Sequence, residues 1–145
     1  MKHADKLREL IRLFIRNLEI LEKSEASCCG ITIGQCHAIV EIGRAQKISL
    51  NELALLLNLD NSTMSRTVNN LVQQDLAERE IDATDRRFVG INLTEKGSDV
   101  FNGIEEEMTI YFNKVLSDIP ENKRDQVIES LELLLDAVKK NKCCL

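Results

Sequence analysis

The chain of 145 residues has one proline, no tryptophan, one tyrosine and four phenylalanines, so aromatics make up 3% of it. With 43% apolar residues and so little proline, an ordered and mostly helical chain is expected, its core resting on Leu, Ile and Val. No run is long enough to span a bilayer. The first fifteen residues carry charge throughout, which excludes a secretory signal and points to a soluble, cytoplasmic protein with no membrane partner. There are two histidines, His3 and His37, too few for a zinc site built on several of them. A phosphate-cradling glycine loop, a nucleophile elbow and a zinc-hydrolase motif are all absent. No nucleophile, base and orienting group can be assembled, so no enzyme is expected and no cofactor is required.

A basic excess is also missing. The net charge is −5, against the basic footprint expected of a nucleic-acid binder. Residues 1–60 carry 8 Lys+Arg and 8 Asp+Glu, residues 61–97 carry 5 and 6, and residues 98–145 carry 6 and 10. The acid excess therefore sits mainly in the last third, and the middle is basic only locally, at Arg66, Arg79, Arg86 and Arg87.

What is present is a helix-turn-helix pattern in residues 49–97. Leu50, Leu53, Ala54 and Leu57 recur at the spacing of one buried helical face. Ser49 and Glu52 spell a capping box at its start. Asn58, Leu59, Asp60 and Asn61 break the pattern with residues that favour turns and N-caps. A second helix over residues 62–74 buries Met64, Val68, Leu71 and Val72. Its other faces carry Ser62, Thr63, Ser65, Arg66, Asn69 and Asn70, with no acid from Asn61 to Gln74. Hydroxyls and amides there can meet phosphates, and Arg and Asn can meet base edges. Residues 76–81 and 88–93 then alternate like strands around Asp82, Ala83, Thr84, Asp85, Arg86 and Arg87. Such a wing with a basic tip suits a minor groove. Asp85 would hold the Arg87 guanidinium in one rotamer by a charge-assisted hydrogen bond.

Asp85-Arg86-Arg87, followed by Ile91-Asn92-Leu93-Thr94-Glu95-Lys96-Gly97, resembles the D-R-R…L-T-x-x-G pattern of the multiple-antibiotic-resistance regulator (MarR) family of winged-helix transcription factors. The resemblance implies a homodimer on a DNA palindrome, with repression lifted by a small molecule, a metal or oxidation. It places the family's wing Asp and Arg on Asp85 and Arg87, and its recognition-helix positions on residues 62–70.

The flanks fit that architecture. A helix over residues 3–23 aligns Leu7, Leu10, Ile11, Phe14, Leu18 and Leu21. Residues 98–116 align Val100, Phe101, Ile104, Met108, Tyr111, Phe112 and Val115, and residues 120–140 align Val127, Ile128, Leu131, Leu134, Leu135 and Val138. Three apolar stripes exceed what one winged helix can cover, which argues for an intertwined dimer, the alternative being a compact monomer. The expected organisation is a dimerisation helix and loop over 1–31, a winged helix-turn-helix over 32–97 and dimerisation helices over 98–145. The fold class is mainly α with a small β-wing.

Residues 24–31 are expected as a loop. Thr32 and Gln35 then cap a linking helix over 33–44, with Cys36, Ile39, Val40 and Gly43 on its inner face. Cys28 and Cys29 just before that N-terminus, and Cys36 within it, form a candidate thiol sensor for a thiophilic metal, a metalloid or an oxidant. Against this stands an ordinary core Cys36 with two incidental loop cysteines. His37 points about 100° from Cys36 on the helix, and is read as a partly buried, hydrogen-bonded histidine. Glu105, Glu106 and Glu107 read as a solvated helix face. Cys143 and Cys144 read as a frayed tail and not a prenylation signal. The function expected is a regulator of transcription that binds double-stranded DNA as a homodimer and releases it to an inducer. The alternative is a winged-helix protein-interaction module that does not bind DNA.

Overall fold

The computed structural model describes residues 2–29, 31–81, 83–85 and 89–141, with the side chains of 19–29 outside the described set. Elements follow in the order α1 His3–Cys29, α2 Ile33–Ala45, β1 Ile48–Ser49, α3 Leu50–Leu57, α4 Asn61–Gln73, β2 Ala77–Ile81, β3 Val89–Leu93, α5 Glu95–Ser117, a 3-10 turn Glu121–Lys123, and α6 Arg124–Lys140. The described residues cluster into two compact units, 1–105 and 106–145.

The first unit is built around aliphatic side chains, as the scarcity of aromatics requires. Ile39, Ile42, Leu53, Met64, Val68, Leu71 and Ile91 are almost wholly shielded from solvent. Burying each such side chain contributes ~2 kcal/mol before entropy is subtracted. They come from α2, α3, α4 and the middle of the sheet, so one core holds the linking helix, the two-helix reading head and the wing root together. The sheet has three strands in the order β1-β3-β2, all antiparallel. β1, only two residues long, has no readable pattern in sequence and forms because Ile48 and Ser49 pair with Ile91 and Gly90.

Caps fix the helix starts. The Thr32 hydroxyl accepts from the Gln35 N–H at 3.2 Å, and the Gln35 side chain accepts from the Thr32 N–H at 3.1 Å, completing the expected box. The Ser49 hydroxyl accepts from the Glu52 N–H at 3.2 Å. Between α3 and α4, Asn58 adopts the left-handed conformation at φ 54° and closes α3 with its own N–H. Asn tolerates that region better than any side chain but glycine.

Three expectations need correction. Residues 24–29 are helical, because α1 continues to Cys29; no proline or glycine interrupts the sequence before Gly30, where a helix has reason to stop. The inner face of α2 is Gln35, Ala38, Ile39 and Ile42, with Cys36, Val40 and Gly43 half-buried beside it. That face is rotated by about 100° from the expected one, because both stripes are mostly apolar and only packing chooses between them. In the reading head, Leu50, Leu57 and Val72 are half-buried flank residues, while Leu53, Ala54, Met64, Val68 and Leu71 form the buried face.

The T-x-x-G part of the sequence pattern acts as a joint. The Thr94 hydroxyl accepts from the Gly97 N–H at 3.0 Å at the start of α5 and donates to the Asp75 carbonyl at 2.6 Å. A Cβ on Gly97 would lie 1.8 Å from the Leu76 carbonyl oxygen. Glycine is thus required by a backbone-to-backbone approach. Gly43 on α2 plays a similar part for the Phe101 ring, which its Cβ would meet at 2.5 Å. The Arg44 guanidinium reaches Glu105 at 3.1 Å, so one member of the acidic triplet is an ion-pair partner and not a purely solvated group.

In the second unit, the Arg124 Nε–H donates to the carbonyls of Leu116 and Ile119 at 3.0 and 3.1 Å, closing the turn between α5 and α6. The Tyr111 and Phe112 rings meet edge to face. No residue of α6 is buried.

Candidate nucleic-acid interface

α4 presents its polar side outward. Met64, Val68 and Leu71 face the core, so Ser62, Arg66, Asn69 and Gln73, spaced at four, three and four residues, form one exposed stripe. Asn70 is exposed on one flank, and Thr63 and Ser65 are half-buried at the margins. All six helix positions expected from sequence are therefore present on or beside one surface. Gln73 belongs to the same stripe and was not foreseen; its place seven residues after Arg66 was the available signal.

The start of α4 is held by Asp60. Its carboxylate accepts from the Thr63 N–H at 3.1 Å and from the Ser62 hydroxyl at 2.9 Å. Hydrogen bonding by the Thr63 side chain, then by Ser62 and the Thr63 backbone, holds this carboxyl below the usual aspartate value. The Ser62 hydroxyl proton is thereby committed, leaving its lone pairs to face outward. The Arg66 guanidinium leans toward the Thr63 hydroxyl at 3.5 Å, a loose contact that leaves most of its donors unused. Asn61 donates to Asn51 at 2.9 Å, tying the N-terminal ends of α3 and α4.

On the wing, β2 pairs with β3 in the register Ala77 to Leu93 through Ile81 to Val89. The tip residues Ala83, Thr84 and Asp85 are exposed. Asp82, Arg86, Arg87 and Phe88 lie outside the described residues, and with them the Asp85 to Arg87 pairing. The run Glu78-Arg79-Glu80 reads as acidic, but strand alternation sorts it. Glu78 accepts from Asn92 at 2.8 Å and Glu80 lies 3.6 Å from the Lys47 ammonium. The Lys47 stem crosses Gly90, where a Cβ would collide with it. Arg79, on the opposite face, donates to Asn69 Oδ1 on α4. Sequence reasoning missed Arg79 as a site residue; its position three residues into β2, out of phase with two acids, was the signal.

Of the thiol candidates, Cys36 is half-buried one turn into α2. The backbone of Cys28 and Cys29 forms the last turn of α1 and not a loop, while their side chains lie outside the described residues, as do Cys143 and Cys144. His37 is exposed. Among the described residues no three His, Cys, Asp or Glu side chains are gathered as a metal ion would need. No described helix is long and apolar enough to cross a membrane.

Residues 30–87 match the model of the MarR family. The chain is 29% identical over 122 residues to the HTH-type transcriptional regulator BilQ of Clostridium symbiosum (strain WAL-14163), covering 84% of this chain and 85% of that one. It is 24% identical to the HTH-type transcriptional repressor MdtR of Bacillus subtilis (strain 168), over 96% and 92% of the two chains. The crystal structure of the transcriptional regulator SlyA superposes with a TM-score of 0.79 at 26% identity, over 94% of this chain and 95% of that one. Streptococcus pneumoniae FabT in complex with DNA superposes with a TM-score of 0.85 at 22% identity, over 96% and 99%. Over residues 30–87 the sequence is similar to the MarR family, and nearly the whole chain shares the winged helix-turn-helix fold of transcriptional regulators of that family.

Proposed function

We propose that the protein is a transcriptional repressor that binds a palindromic operator in double-stranded DNA as a homodimer and is released by an inducer. The observation that carries this reading is the exposed stripe Ser62, Arg66, Asn69 and Gln73, free of acids and standing beside the wing root. In this reading each α4 enters a major groove and each wing lies along the flanking minor groove, with Asp85, Arg86 and Arg87 at its tip. The two heads must then stand roughly 34 Å apart.

Uncovered apolar surface supports the dimer. Leu7, Leu10 and Phe14 on α1, and Ile128, Leu131, Leu135 and Val138 on α6, are each at least 46% exposed in the single chain. A second copy is the occupant that this reading assigns to them, with isologous contacts that bring two reading heads to one face of DNA. A cleft of about 340 Å³ bordered by Ile42, Gln46, Asn92, Ser98 and Phe101 adjoins the wing strand β3, and a cavity of this size suits a small inducer. Thiol chemistry at Cys28, Cys29 and Cys36, with a thiophilic metal, a metalloid or an oxidant as effector, is the other release step proposed. The three cysteines fall within nine residues of sequence.

The test is a gel-shift titration on DNA from upstream of the protein's own gene. Arg66→Ala is expected to weaken binding by about 1–3 kcal/mol, and Arg87→Ala to weaken it with fold and dimer intact. Unchanged affinity in both variants would remove the reading, and so would a wild-type chain whose retention on heparin is insensitive to salt. For the gate, Cys28→Ser combined with Cys29→Ser should abolish release by arsenite or peroxide; normal release by that double variant excludes it.

A further inference from the structure

We infer that Arg79 is a further cation of the DNA-facing surface and that Asn69 acts as its positioning residue more than as a reader of bases. The inference rests on the DNA-binding reading above. Arg79 extends from the face of β2 that meets α4, opposite buried Ile91 in the strand register, and donates to Asn69 Oδ1. Both side chains are otherwise exposed.

Two consequences follow from the donor and acceptor inventory. An Asn reads adenine by accepting from N6 and donating to N7 at once. With one lone pair of its carbonyl oxygen held by the Arg79 guanidinium, Asn69 is fixed in an orientation set by the wing and not by a base, and only the second lone pair is left to accept. Arg79, by contrast, spends one of five donors on Asn69 and keeps the rest, with its plane fixed at the junction of recognition helix and wing. A rigid guanidinium held there loses less entropy on meeting a phosphate than a free one.

Its charge also goes unopposed. The neighbouring Glu78 and Glu80 lie on the other face of the strand, engaged by Asn92 and Lys47. Arg66 and Arg79 therefore form a basic pair on a segment whose net charge is negative, with the two acids that flank Arg79 turned to the other face of the strand. Backbone contacts of this kind strengthen binding to every sequence alike and set its salt dependence.

The experiment uses the full chain, a duplex selected from a random pool by the wild-type protein, and a scrambled duplex. Affinity is measured by fluorescence anisotropy at a series of salt concentrations. Arg79→Gln is expected to lower affinity several-fold on both duplexes and to flatten the slope of log K against log salt by about 1. Asn69→Ala is expected to weaken both duplexes in the wild-type background and to add nothing in the Arg79→Gln background. A merely structural hydrogen bond would shift the melting temperature without moving the salt slope, and that result overturns the inference. It is equally overturned if Asn69→Ala changes preference at a single base pair, or if its effect is the same in both backgrounds. A wild-type chain that binds neither duplex overturns the DNA-binding reading and this inference together, whereas failure of the variants alone overturns only the inference.

Discussion

Single residues decide where this fold tolerates change. Gly97 and Gly43 both lie under something, but different things. Beneath Gly97 is the Leu76 carbonyl, part of the backbone; beside Gly43 is the Phe101 ring, a half-buried side chain that can rotate. Gly97→Ala is therefore expected to cost about 2 kcal/mol or more, and Gly43→Ala clearly less, as measured by urea denaturation. Equal costs would mean that the Thr94 joint yields as easily as a ring does. Asp60 supplies a pH signature. Hydrogen bonds from Thr63 and Ser62 hold its carboxyl below the usual aspartate value in the folded chain, so its contribution is complete above the unfolded value and is lost as pH falls through the lower folded one. Asp60→Asn should flatten the fall in melting temperature below about pH 4, and a wild-type acid slope retained in the variant would refute the role.

At the scale of elements, the reading head depends on how α3 hands over to α4. Asn58 takes the left-handed conformation at that turn, and the two helix starts are tied by the Asn61 to Asn51 hydrogen bond. Asn58→Val should destabilise the protein by about 1–2 kcal/mol, while Asn58→Gly should be tolerated or mildly stabilising; thermal melts of the two variants separate these outcomes. This element was legible in sequence because turn-forming residues, a cap and a helical period coincide over a short span. The wing hairpin was legible too. Its third strand was not, because Ile48 and Ser49 carry no pattern of their own and become a strand only through Ile91 and Gly90. The loop expected at residues 24–31 is helix over 24–29 for a related reason. Ser and Cys are weak helix formers, yet with no breaker before Gly30 the helix propagates at little cost per residue.

For the whole molecule, the uncovered apolar stripe on α6 makes a specific demand. Ile128, Leu131, Leu135 and Val138 recur at three- and four-residue spacing and are 47–59% exposed. Light scattering of the wild-type chain should give twice the chain mass. Leu135→Asp with Val138→Asp should shift the protein toward the monomer and reduce operator affinity with it, since two half-sites are then no longer held together. A wild-type monomer would remove the palindrome from the proposal.

The sequence by itself determined the class of fold, the break between the two reading-head helices, most of the buried face of each, and the polar stripe on α4. Each of these rests on local periodicity, capping or steric limits within a few residues, and such information survives in one dimension. Tertiary structure alone decided which of two apolar faces of α2 turns inward, that β1 exists, and that Glu78 and Glu80 face away from Arg79 while Asn69 holds it. Those outcomes depend on contacts between residues 10 to 43 positions apart, and no local pattern of residues encodes them.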